Sequence, residues 1–115
     1  MRFKPGKIIS ANSVNATVLK AGSGTLGYLI CFNLNTSARY LKLYNIATAP
    51  TVGTTTPVHT FVIPGSTIGV PLIIPLQPDG IYFSAGISLA LTTGVADSDS
   101  NAVAANEILV NYGYH

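Results

Sequence analysis

Apolar and polar positions alternate with a period of two along most of this chain, the repeat of a strand with one face toward a core. Val14, Ala16 and Val18 alternate with Asn15, Thr17 and Leu19 before Ala21-Gly-Ser-Gly24 turns the chain. Leu26 to Leu34 reads as an apolar strand with Tyr28, Ile30, Phe32 and Leu34 on one face, and Asn35-Thr-Ser37 turns it into Arg39-Tyr-Leu-Lys-Leu-Tyr-Asn45. In that strand Leu41 and Leu43 point to the core, while Tyr40, Lys42 and Tyr44 point outward or into a subunit contact. Val58 to Ile63 follows, then Ile68, Val70, Leu72 and Ile74 at alternate positions, then a Pro78-Asp79-Gly80 turn into Ile81-Tyr82-Phe83. Ile87, Leu89 and Leu91 alternate next, and a last strand runs from about Ala105 to Tyr114. No stretch carries a helical period; Ala96 to Asn106 suits one helical turn at most.

Eight short strands separated by regular turn signals predict an all-β fold. The expected architecture is a single-domain, eight-stranded antiparallel β-sandwich, jelly-roll-like in preference to immunoglobulin-like. Pro71 and Pro75 place their strand at a sheet edge or a bulge, because proline has no N–H for a ladder on both sides. The sandwich is expected over residues 14–115, with residues 1–13 preceding it as an N-terminal arm. Between the fourth and fifth strands, the uncharged Thr/Pro/Gly stretch Ala47 to Pro57 reads as a contact loop, with Pro50 and Pro57 stiffening it.

Composition changes the picture in one respect. Charged residues are 9% of the 115, against roughly a quarter in ordinary soluble domains. Hydrophobic residues at 48% are ordinary, so Thr, Ser, Asn, Gly and Pro stand in for the charge. That balance suits a surface largely covered by copies of itself or by a partner. The six basic residues all lie within the first 42 positions and the four acidic ones all from 79 onward, a polarity that suits head-to-tail docking. Nucleic acid would require a denser basic patch with arginines and aromatics interleaved. Cys31 is the one cysteine, so no intrachain disulfide forms, and its apolar strand predicts a buried thiol. The opening Met1-Arg-Phe-Lys-Pro-Gly-Lys7 is basic, but only Ile8-Ile9 follows it, which is no signal peptide. The apolar run at Val70 to Leu76 is too short and too proline-broken to cross a bilayer.

Side chains able to do chemistry are scarce. Of two histidines, His59 sits in a strand with no nucleophile elbow anywhere, and His115 is the last residue. Paired carboxylates could come only from Asp79, Asp97, Asp99 and Glu107, which lie in turns or at a strand start, with no tryptophan to form a sugar platform. The expectation is a protein that is not an enzyme and uses no cofactor. Asp97-Ser-Asp99-Ser-Asn101 imitates the start of a calcium loop, but Ala102 stands at the tight-turn glycine position and Ile108 at the bidentate glutamate position, with Glu107 one residue short. A structural loop built on Asx-turns is expected there, and no metal.

Asn15-Ala-Thr-Val-Leu-Lys-Ala21, Arg39-Tyr-Leu-Lys-Leu-Tyr-Asn45 with Ala49-Pro-Thr-Val-Gly53 and Pro57, and in the C-terminal half Leu91-Thr-Thr-Gly94, Ala96-Asp-Ser-Asp99 and Val103-Ala-Ala-Asn-Glu107, together resemble a family of small proteins encoded by tailed bacteriophages, cyanophages among them. The resemblance spans the chain from about Ser10 onward. It implies a virion structural protein, and within that class a capsid decoration (cement) protein. Such a protein binds the outer surface of the major capsid protein shell, often as a homotrimer, after assembly in the host cytoplasm. It implies no catalytic residue, no nucleic-acid partner and no membrane. On that reading Arg2, Phe3, Lys4 and Lys7 form an arm meeting acidic coat residues or a neighbouring copy, and Tyr40, Lys42, Tyr44, Pro50 and Pro57 supply further partner contacts. Removal of the first eight residues is expected to weaken attachment and leave the fold intact. Two other readings stand beside this one. One is a receptor- or glycan-binding module of a head fibre or tail, using Tyr40, Tyr44, Tyr112 and Tyr114 as stacking faces; the other is a minor tail component.

Overall fold

The computed structural model describes residues 2–66, 71–75 and 79–115. Among these the chain forms nine strands and no helix: β1 (Lys4–Ile9), β2 (Thr17–Ala21), β3 (Gly24–Asn33), β4 (Arg39–Tyr44), β5 (His59–Ile63), β6 (Pro71–Pro75), β7 (Ile81–Phe83), β8 (Gly86–Thr92) and β9 (Ile108–Tyr114). One sheet has the order β1-β9-β3-β6, with β7 also on β3; the other has the order β2-β8-β4-β5. All the strand pairs are antiparallel. β6 pairs with Tyr28 to Phe32 of β3 and β7 with Gly24 to Leu26, so the two together run along β3 as one interrupted strand. Counted that way, the first strand pairs with the last, the second with the last but one, the third with the sixth and the fourth with the fifth. The antiparallel sandwich expected from the period-two pattern is what the chain forms. Ile68 and Val70 of the expected sixth strand, and Pro78 of the expected turn, lie outside the described residues.

The core lies between the two sheets. Leu29, Cys31, Val110 and Ile108 from one sheet meet Leu41, Leu43, Ile87, Leu89 and Leu91 from the other, all essentially fully buried. Burying side chains of this size contributes about 1.5–3 kcal/mol each relative to exposure. Pro71 and Pro75 fall on β6, the edge strand beyond β3, as their missing N–H groups require.

The ninth strand is a correction. Residues 4–9, expected in a free arm, form the edge strand β1, paired along its length with β9 from Lys4↔Tyr114 to Ile9↔Leu109. The Ser10 N–H donates to the Ile108 carbonyl at 2.9 Å. Antiparallel alternation then turns the backbone groups of the even-numbered residues toward β9 and those of the odd-numbered ones toward the free edge. Pro5, which has no N–H, therefore faces the edge where none is needed. Gly6 is required because the Tyr112 ring lies over it, in the space a Cβ would occupy. Across the sheet, Gly113 is buried in the same manner beneath the Tyr28 ring. Phe3 meets that ring edge-on at 6.4 Å and 85°, fixing the start of β1 to the sheet.

The outer surfaces of the two sheets differ. On the β2-β8-β4-β5 sheet the outward side is covered by two of the chain's own loops, so every residue of β8 is buried. Ser88 Oγ donates to the carbonyls of Ile46 (2.9 Å) and Thr48 (3.3 Å), and Thr92 Oγ1 to that of Gly94 (2.9 Å). The outward side of the β1-β9-β3-β6 sheet carries no such cover among the described residues: Ile9, Ile73 and Leu34 are 54%, 62% and 51% exposed.

Candidate interaction surface

β4 departs from expectation on one side. Leu41 and Leu43 face the core as predicted, but Lys42 and Tyr44 are fully buried beneath the covering loops. Lys42 Nζ donates to the carbonyls of Ala96 at 2.6 Å and Asp99 at 3.2 Å. The loop whose sequence imitates a calcium site is thus closed around an ammonium supplied by β4. Its Asx-turn is present: Asp99 Oδ1 accepts the Asn101 N–H at 3.0 Å, and Asp99 Oδ2 the Asn101 side-chain amide at 3.1 Å. These bonds, the Asn101 N–H first among them, hold the Asp99 carboxyl below the usual carboxylate range. Among the described residues no group of three or more His, Cys, Asp and Glu side chains is gathered for a metal ion.

Tyr44 Oη has no hydrogen-bond partner among the described residues, and burial, with the charge of Asp97 second, pushes its pKa up. Pro50 is buried as well, so Lys42, Tyr44 and Pro50, expected at partner contacts, are internal; the loops that carry and cover them close one face of the sandwich. Tyr40 and Pro57 are half-buried. Of the tyrosines expected to form stacking faces, Tyr112 and Tyr114 stack on each other at 6.2 Å and pack against the core. His59 is exposed on β5 and lies against Phe61 with ring centroids 5.9 Å apart.

The charges are distributed unevenly in use as well as in sequence. Glu107, buried at the start of β9, takes 2.9 Å from Arg39 Nε, 2.6 Å from the Asn35 amide and 3.3 Å from the Ala104 N–H. Burial pushes its carboxyl up, but those donors, Arg39 first, more than offset it and hold the pKa below the ordinary glutamate value. Ser10 Oγ anchors the same turn, donating to the Ala104 carbonyl at 2.7 Å and accepting the N–H groups of Glu107 and Ile108. Arg39–Glu107 is the one ion pair among the described residues. Arg39 and Lys42 are therefore committed internally, and Arg2, Lys4, Lys7 and Lys20 stand without a carboxylate.

Three of those four border one cleft. Arg2 and Lys4 from the start of β1 and Lys20 from the end of β2 rim a half-open space of about 530 Å³. Phe3, Pro5, Tyr114 and His115 complete its lining. Of the expected arm residues Arg2, Phe3, Lys4 and Lys7, the first three line this cleft together with Lys20 and Tyr114, which no sequence feature indicated. Lys20 joins because its stem lies over Gly24 beside the His115 carbonyl, a juxtaposition made in the fold and carried by no local signal. Lys7 is exposed on the outward side of β1, away from the cleft lining. An apolar wall rimmed by unpaired cations suits a carboxylate-bearing protein surface, where the charges steer and the rings supply contact area. Comparisons with protein-family models, with curated proteins and with solved structures return no match to this chain.

Proposed function

We propose that this protein is a virion structural protein of the capsid decoration type, which attaches to the outer surface of a major capsid protein shell and stabilises it. The phage part of the reading rests on the resemblance set out above, which spans the chain from about Ser10 onward. The attachment part rests on one observation: Arg2, Lys4 and Lys20, none paired with a carboxylate, line one apolar cleft, whereas the buried charges Lys42 and Glu107 are satisfied internally. Two features of the architecture support it. The pairing of first strand with last and second with last but one is the jelly-roll order, a fold that by analogy serves many viral shells. The loops are held by structural hydrogen bonds instead of presenting reactive groups. On this reading the cationic rim meets acidic coat residues, as the N-terminal arm was expected to, but from a fixed strand.

Because β1 is part of the sheet, truncating it would unfold what it was meant to probe; point variants are the cleaner test. Arg2→Glu with Lys4→Glu reverses two exposed charges. The double variant is expected to lower occupancy on purified phage heads roughly tenfold or more in quantitative mass spectrometry, with an unchanged melting temperature. Wild-type occupancy of that variant would overturn the attachment site. Recovery of the protein with tails and not heads would overturn the decoration reading in favour of a tail component.

A further inference from the structure

We infer that the outward face of the β1-β9-β3-β6 sheet packs against the same face of a second copy of this chain. The face shares the edge strand β1 with the cationic cleft, but Ile73 and Leu34, which test it, are not part of the cleft lining, so this proposal and the shell-attachment reading fail independently. By alternation the face presents Ile9 from β1, Leu109 from β9, Ile30 and Phe32 from β3 and Ile73 from β6, with Leu34 continuing it just past β3. Ile9, Leu34 and Ile73 are more than half exposed, which is unusual for three large aliphatic residues on one sheet face. The single charge on it is Lys7, on the edge strand. Asn111 turns one amide N–H back to the Ile30 carbonyl at 3.4 Å.

Three further observations narrow the occupant. First, the opposite sheet has its outward side sealed by the chain's own loops, whereas this one has no cover among the described residues. Second, the edge strands on both sides carry proline, Pro5 on β1 and Pro71 on β6, which blunts strand-to-strand extension of the sheet and favours face packing. Third, the size fits. Four strands about 4.8 Å apart and seven residues at about 3.4 Å give roughly 450 Å² in plan, and two such faces with their side-chain relief reach about 1,000 Å², the lower bound for a specific interface. A flat apolar face is matched in area and chemistry by its own copy across a two-fold axis, with Lys7 left at the rim in water. A foreign partner would have to bring an equally charge-free patch of the same size. The unit is therefore an isologous pair, where the resemblance to decoration proteins implied a trimer.

Sedimentation equilibrium of the full chain between about 1 µM and about 100 µM tests this. The wild type is expected at twice the chain mass. Ile73→Lys and Leu34→Lys, both at exposed positions that leave the core untouched, are expected to raise the dissociation constant at least about tenfold each. Val95→Lys, equally exposed on the loop at the other side of the molecule, is expected to change nothing. A monomer throughout the range, a mass of three chains, an unaffected Ile73→Lys variant, or an equal loss in Val95→Lys would each overturn the proposal.

Discussion

Replacing Lys42 by methionine tests whether the ammonium organises the loop that covers its sheet. The substitution keeps the unbranched stem and most of the volume, and removes two charge-assisted bonds to the carbonyls of Ala96 (2.6 Å) and Asp99 (3.2 Å). Hydrogen bonds to a charged group contribute about 1.5–3 kcal/mol each. Two terms reduce the loss. The Ala96 carbonyl keeps the Asp99 N–H at 2.9 Å, and the variant no longer carries the desolvation cost of a buried ammonium. The net destabilisation comes to about 2 kcal/mol, and a domain of this size loses about 4 °C of melting temperature per kcal/mol, so the expected drop is about 8 °C. Were Lys42 on an open surface, as the alternation in its strand alone suggested, the change would stay within about 0.5 kcal/mol. Thermal melts followed by circular dichroism distinguish the two, and amide exchange in residues 94–101 should rise selectively. A variant melting within about 2 °C of wild type, with unchanged exchange in that loop, would refute the ammonium's role.

Two more outcomes follow from buried groups. Glu107 has a folded-state pKa below its unfolded value of about 4.3, so its contribution is complete above that value and is lost as pH falls through the lower folded one; the melting temperature should hold from neutral pH to about 4.5 and then fall, and Glu107→Gln should start lower and fall less steeply, whereas a parallel fall in both would exclude the carboxylate as the acid-sensitive group. Burial pushes the Cys31 thiol up to about 12, so it should resist alkylation in the folded protein at pH 8 and react fully once denaturant is added; prompt labelling without denaturant would mean that β3 opens readily.

The parts of the fold that were legible in the sequence are those where local alternation and burial agree. Leu41 and Leu43, or Ile87, Leu89 and Leu91, face the core because a period of two leaves them no other side once the register is set. What alternation does not encode is whether the opposite side meets solvent. Tyr40, Lys42 and Tyr44 do point away from the core, but loops near residues 46–57 and 94–101 fold back over them, and that depends on bonds such as Ser88 Oγ to Ile46 and Lys42 Nζ to Asp99, between residues more than 40 apart. β1 was hidden for a different reason: Lys-Pro-Gly-Lys is a poor strand by propensity, and only its neighbour β9, with Tyr112 over Gly6, makes it one. Asn15 and Asn106, with φ of 53° and 59°, explain why β2 and β9 begin later than the apolar pattern proposes. Of the cleft's cations, Arg2 and Lys4 were visible as near neighbours in the sequence; Lys20 and Tyr114 join them only in the fold.

The position of β9 sets the order in which this chain can become itself. In its sheet β9 lies between β1 and β3, so β1 has no neighbour but the strand synthesised after all the others described here. During translation residues 4–9 must wait, unpaired, while about a hundred residues emerge, and the cationic rim they carry is not assembled until β9 slots into the gap. Contacts of such sequence separation close slowly, on the millisecond-to-second scale typical of sandwiches. The cationic cleft is thus the last part of the molecule to form, and half-made chains carry a sheet without that corner.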